Sequence, residues 1–412
     1  MVDVYVARQP IFDKNQEIFA YELISSGERN PSGELVASPK SSMLILNSFL
    51  EIGLNRIVGK QLAWITLDRE FILNKEKIPF HRRQFVLNID PAMRLDEAAV
   101  SAISDLITLG YYVAFTLPPG CDYSPLMDMA HIMKLDVARF TVPDMVEIIK
   151  KAKRRSMRVC AINVNSHDTF SKCKTLGFDF FAGQFITQPT NVIGKRLPTR
   201  RLAILELLAL LYDPEVEVRD LEALVSQDVA LGHKLLRMVN SAYYGMSNEV
   251  DSFHHALVML GFNQLRSWLS LLLLSQLNDK PGSLMELALI RARMCELLAG
   301  LRGFRNDQGF FIVGLFSLLD VLMDIPMADV LENLPLTEEI NQAILEKRGE
   351  KGATLRTVLA YEHSDWAGVN LPGLNIAQIR ETYFDSIAWA AEVTRKFLLE
   401  EQQDSVGPQK VE

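Results

Sequence analysis

Cysteine is scarce in the 412 residues: Cys121, Cys160, Cys173 and Cys295, with no CxxC pair. Neither a zinc ribbon nor a disulfide framework can be built on that spacing. An excess of positive charge is also missing, since 43 Lys and Arg stand against 51 Asp and Glu for a net charge of −8. That sign repels phosphate backbones, so nucleic-acid binding is not expected. Long hydrophobic runs are absent too: the leucine-dense stretch around Leu269–Leu274 is far short of the ~18 residues a spanning helix needs. Met1-Val2-Asp3-Val4 has no basic segment ahead of an apolar core, so no membrane insertion is expected and the chain reads as cytoplasmic. What is present is a globular composition, 49 % apolar and 23 % charged, long enough for two or three domains at roughly 150 residues each.

The pattern changes partway along the chain. Strand-like runs at Val4–Ile11, Ile18–Ile24, Leu62–Leu67, Phe85–Ile89, Tyr111–Phe115, Ile132–Leu135 and Arg158–Val164 alternate with helical periods such as Leu95–Leu109. The first two, joined by the turn residues Asp13-Lys14-Asn15-Gln16, predict a β-hairpin; the alternation predicts a barrel or a doubly wound sheet. Beyond the proline-bracketed stretch Pro189–Pro198 only helical periods remain, among them a continuous one over Phe310–Met323. The expected domains are therefore 1–195, 200–402 and a short polar tail, 403–412.

The first half resembles the EAL family, barrel phosphodiesterases of the bacterial messenger cyclic di-GMP. The resemblance rests on Gln9-Pro10-Ile11, Ala20-Tyr21-Glu22-Leu23-Ile24, Lys134-Leu135-Asp136, and Leu176-Gly177-Phe178-Asp179 with Gly183 and Pro189. It implies a TIM-type β/α barrel and a site of two divalent cations on hard oxygen ligands, which activate water toward a phosphodiester. Glu22, Lys134 and Asp136 keep the implied residues. Thr66, Asn88, Thr116, Leu117, Asn165 and Ala182 stand where the family carries metal-ligating or neighbouring groups, and Ser26 stands where an arginine clamps phosphate. Losing that much anionic charge predicts a barrel that is not an enzyme. The alternative that the resemblance leaves open is a cyclic di-GMP-binding effector, with weak nucleotide binding, or a weak cyclic di-GMP phosphodiesterase.

The second half resembles the HDOD family, helical domains related to metal-dependent HD phosphohydrolases. It does so through Leu224–Leu231 with Asp228, Lys234–Tyr244 with Asn240-Ser241, and Ala256–Gly261. Where an HD hydrolase carries its His-Asp dyad, this chain reads Ser317-Leu318. The adjacent His254-His255 point about 100° apart on a helix and cannot easily chelate one ion. His167-Asp168 falls at a helix start, where Ser166 is a natural cap. No metal or cofactor is expected in either half. The tandem order resembles bacterial EAL and HDOD signalling proteins over essentially the whole chain, which predicts a regulatory scaffold whose partners are other signalling proteins. The basic run Lys150–Arg155 reads as a solvated helix face.

Overall fold

The computed structural model describes residues 6–25, 53–74, 82, 84–89, 93–120, 124–188, 199–213, 215–227, 232, 235–236, 250, 252–277, 280–304 and 307–404. Eight strands close into a barrel in chain order: β1 (Val6–Asp13), β2 (Ile18–Ser25), β3 (Leu62–Leu67), β4 (Phe85–Ile89), β5 (Tyr112–Thr116), β6 (Ile132–Asp136), β7 (Arg158–Ile162) and β8 (Phe180–Ala182). β1 is antiparallel to both of its neighbours, β2 and β8, and every other adjacent pair is parallel. Closure leaves no sheet edge and forces alternate side chains inward. Ile11, Ala20, Trp64, Val86, Ala114, Ile132, Cys160 and Phe180, one from each strand, form a buried plug.

The helices outside the barrel start where the sequence supplies caps. Asp96 accepts the Ala99 N–H at 3.0 Å ahead of α1 (Glu97–Thr108), and Thr141 caps α2 (Val142–Arg154). Ser166 accepts the Thr169 N–H at 3.1 Å at the start of α3 (His167–Leu176), so the residue before His167-Asp168 caps the helix, and Gly177 ends it at φ +100°. Three cations of the basic run are paired: Lys151 with Glu147, Lys153 with Asp179 and Arg155 with Asp128.

After residue 198 the described chain is helical: α4 (Thr199–Tyr212), α5 (Val218–Gln227), α6 (Phe253–Leu260), α7 (Phe262–Ser275), α8 (Gly282–Leu301), α9 (Gly309–Phe316), α10 (Leu319–Met323), α11 (Met327–Glu332), α12 (Glu338–Leu345), α13 (Gly349–Glu362) and α14 (Ile376–Asp404). The single helix expected over Phe310–Met323 is broken. Ser317 ends α9, and its hydroxyl donates to the Gly314 carbonyl at 2.7 Å, a local bond that competes with the helical ladder. α8 and α9 approach closely at Gly314, where a Cβ would lie 2.5 Å from the Arg291 carbonyl oxygen.

The chain divides into two compact units. One is Met1–Gln188 with Ala360–Val369 and Ile376–Arg380; the other is Pro189–Leu359 with Asn370–Asn375 and Glu381–Glu412. The fold class read from the sequence, an α/β barrel followed by an all-helical region, is the one observed. α14 runs to Asp404, and residues 405–412 of the expected tail lie outside the described residues. Among the described residues no helix is long and apolar enough to cross a membrane.

Candidate functional site

Inward-facing residues of a strand recur every second position, so the layer next to the apolar plug is set by adding two. Ala20, Trp64, Val86, Ala114 and Ile132 thus lead to Glu22, Thr66, Asn88, Thr116 and Lys134, at the C-terminal ends of β2 to β6. Five of the residues singled out in the sequence therefore share one layer at the barrel mouth, the end where parallel barrels place their chemistry.

Lys134 is 4 % exposed, and its Nζ donates to Glu22 Oε1 at 2.6 Å. The ammonium also lies 5.4 Å from the centroid of the Trp64 ring beneath it. Asn88, 2 % exposed, donates to Thr66 Oγ1 at 3.0 Å, and its carboxamide oxygen has no hydrogen-bond partner among the described residues. Below the layer, burial pushes the Cys160 thiol up to about 12, with Lys134 pulling it down and Glu22 and Asp179 adding to the rise. That thiol is inert.

The remaining barrel positions fall around this layer. Asp136 ends β6 and accepts the Ala138 N–H at 3.0 Å; Asn165 accepts the Gln184 N–H at 3.2 Å. Leu117 is buried, and Ala182 pairs with Ile11 and packs against the plug. Ser26 lies outside the described residues. Sequence reasoning did not single out Asn163, which takes φ +63° at the end of β7, or Trp64, the aromatic floor under Lys134. Trp64 was open to discovery as the large aromatic two residues before Thr66 on a strand.

The pair of divalent cations that the resemblance implies does not fit this layer. Glu22 is its one carboxylate, and that carboxylate is engaged by Lys134; Thr66, Asn88 and Thr116 are neutral. Among the described residues, no group of three or more His, Cys, Asp or Glu side chains could hold a metal ion.

In the helical region, the Ser317 hydroxyl accepts from Arg291, 4 % exposed, at 3.1 Å, and Leu318 is core. Burial raises the Asp320 carboxyl above the ordinary range against the pull of the Val321 N–H, Arg291 and Lys347. Burial lowers the Lys347 ammonium, with Arg291 adding to the shift and Asp320 opposing it. The neighbourhood of the expected dyad position is thus a buried polar cluster, which only the fold could assemble from α8, α10 and the end of α12. Gly261, φ +76°, sits between α6 and α7, while Asp228, Asn240 and Ser241 lie outside the described residues.

Residues 197–371 match the family model described as the HDOD domain. With the eight-stranded closed barrel ahead of it, the chain is a β/α barrel followed by a helical region that matches the HDOD domain. Its relatives align nearly end to end. It is 29 % identical over 408 residues to a Vibrio cholerae protein named cyclic di-GMP phosphodiesterase CdgJ, covering 96 % of this chain and 94 % of that one. It is 26 % identical over 399 residues to the uncharacterized protein YuxH of Bacillus subtilis, covering 94 % and 98 %. Among solved structures, a standalone EAL protein of Vibrio cholerae O395 with bound c-di-GMP is 19 % identical over 44 % of this chain and 90 % of that one, with a TM-score of 0.33.

The expectation that this chain is not an enzyme is overturned by the first of these relatives, a protein named a phosphodiesterase that aligns along essentially the whole length. The expectation had equated activity with one complete set of hard oxygen ligands at fixed strand ends.

Proposed function

We propose that the chain is a cyclic di-GMP signalling protein whose barrel binds the cyclic dinucleotide at its mouth and cleaves it slowly, while the HDOD half contacts other signalling proteins. The observation that carries this reading is the ion pair Glu22–Lys134 in the mouth layer, present in a chain that aligns end to end with a named cyclic di-GMP phosphodiesterase. A phosphodiester brings one negative charge and needs water delivered in line with the leaving oxygen. Lys134 offers a fixed positive charge in a poorly solvated place, where it acts on a phosphoryl oxygen more strongly than in water. Glu22, displaced from Lys134 by that oxygen, is left as a carboxylate that takes a proton from water as the water oxygen bonds to phosphorus, and returns it to the leaving oxygen as the opposite P–O bond breaks. With one carboxylate and one ammonium, this layer supports slow turnover rather than fast.

Binding and cleavage are tested separately: calorimetric titration of cyclic di-GMP into the full chain, and chromatography of the linear product with magnesium, with manganese and with EDTA. Binding plus slow product formation is the expected result. The reading fails if the dinucleotide does not bind, or binds without being cleaved.

A further inference from the structure

The HDOD half carries an open groove of about 690 Å³ at the start of α5, lined by Val216, Glu217, Val218, Arg219 and Glu222 with Phe262 of α7. Val218 is 37 % exposed, and Val258 and Met259 of α6, four and three positions before Phe262, are 68 % and 50 % exposed. Exposed apolar side chains grouped in a groove mark interaction sites more often than single ones do. Two of its lining residues, Glu217 and Glu222, are acidic, and the one basic lining residue, Arg219, is paired with Glu217 at 2.9 Å, which leaves Glu222 as the excess charge; Glu215 and Asp220 are the neighbouring acidic residues in sequence. Asp220 accepts the Glu217 N–H at 2.8 Å, holding the turn that displays these carboxylates.

We propose that this groove docks a basic amphipathic segment of a partner protein, one that places an apolar side chain on Val216, Val218 and Phe262 and lysines or arginines against Glu217 and Glu222. Apolar burial supplies the affinity, and the acidic rim selects basic over acidic segments. The surface gives a place and a chemistry to the partner contacts assigned above to the HDOD half, and rests on that assignment. It is independent of nucleotide cleavage.

The test uses the full chain and two labelled synthetic peptides, one built of leucine and lysine in helical period and the other with glutamate replacing each lysine. Fluorescence anisotropy reads affinity, and hydrogen exchange reads the site. The lysine peptide binds, more weakly as salt rises, and Val218→Asp and Glu222→Lys each weaken it by about tenfold, whereas Glu332→Lys, an exposed control on α11, does not. Protection appears over residues 216–222 and 253–262. Thermal melts confirm that the variants fold, and Glu222→Gln keeps the groove's shape while removing one charge. The proposal is overturned by equal binding of the glutamate peptide, by no binding of the lysine peptide, or by indifference to both groove variants. A concentration-dependent dimer that Val218→Asp dissolves would make a second copy the occupant and also overturn it. Protection elsewhere in residues 199–404 would remove the groove but keep the HDOD half as the partner arm; protection confined to the barrel would remove both.

Discussion

Glu22 and Lys134 are 112 positions apart in the chain and meet inside the barrel, with side-chain exposures of 17 % and 5 %. A cation in so dry a place is tolerated only with its counter-ion. Glu22→Gln should therefore destabilise the barrel by about 2–3 kcal/mol, below the range for fully buried pairs because the carboxylate is partly solvated, as read from urea midpoints. Asp320 makes the opposite case. Its raised carboxyl pKa means the folded state holds this proton more tightly than the unfolded one, so its contribution declines as pH rises from the unfolded value of ~3.9 through the folded value. Asp320→Asn removes that decline. Its melting temperature should exceed that of the original chain at pH 7, with the difference closing at pH 4; equal melting at pH 7 would refute the burial argument.

At the scale of elements, one carboxylate fastens three parts of the barrel's other end. Asp179, just before β8, pairs with Lys14 of the first hairpin at 3.3 Å and with Lys153 of α2, and accepts the β7 Val159 N–H at 2.9 Å. Burial raises its pKa, but the Lys153 and Val159 bonds and the lysine charges outweigh burial and hold it below the ordinary carboxylate range. A depressed folded value gives stability that is fully present above the unfolded pKa of ~3.9 and is lost as pH falls through the folded one. Acid unfolding below about pH 4 should be less steep in Asp179→Asn, which is also less stable at neutral pH.

Gly183 is a second fastening. It has φ +151°, and a Cβ there would lie 2.2 Å from the Val164 carbonyl oxygen, so Gly183→Ala should cost on the order of 3 kcal/mol in denaturant unfolding. Much of the barrel was legible because its strands are short and bounded by turn residues: Phe85–Ile89 and Leu62–Leu67 match the observed bounds. Closure was legible only through the family resemblance, because the periods alone left a barrel or a doubly wound sheet open: the β1–β8 pairing joins distant segments and β8 has only three residues. The break at Ser317 was hidden for a different reason. Nothing in Phe310–Met323 interrupts the apolar period, and the serine acts through a local carbonyl bond that a period does not reveal. Within the mouth, motif order placed Glu22, Thr66, Asn88, Thr116 and Lys134 on successive strand ends, but pairing Lys134 with Glu22 rather than Asp136 required the closed geometry.

Across the whole molecule, a barrel with a charged pair in its mouth is joined in one chain to an HDOD domain. Action of the barrel on cyclic di-GMP through that pair is read from initial rates of linear-product formation at saturating cyclic di-GMP for the full chain, Glu22→Gln and Lys134→Met, with circular dichroism confirming that each is folded. The original chain should form product slowly and linearly, at a rate reduced by at least about a hundredfold in Glu22→Gln, as for loss of a general base, with weakened dinucleotide binding in Lys134→Met. Product formation that is absent from the original chain, or unchanged in Glu22→Gln, would contradict action through the pair.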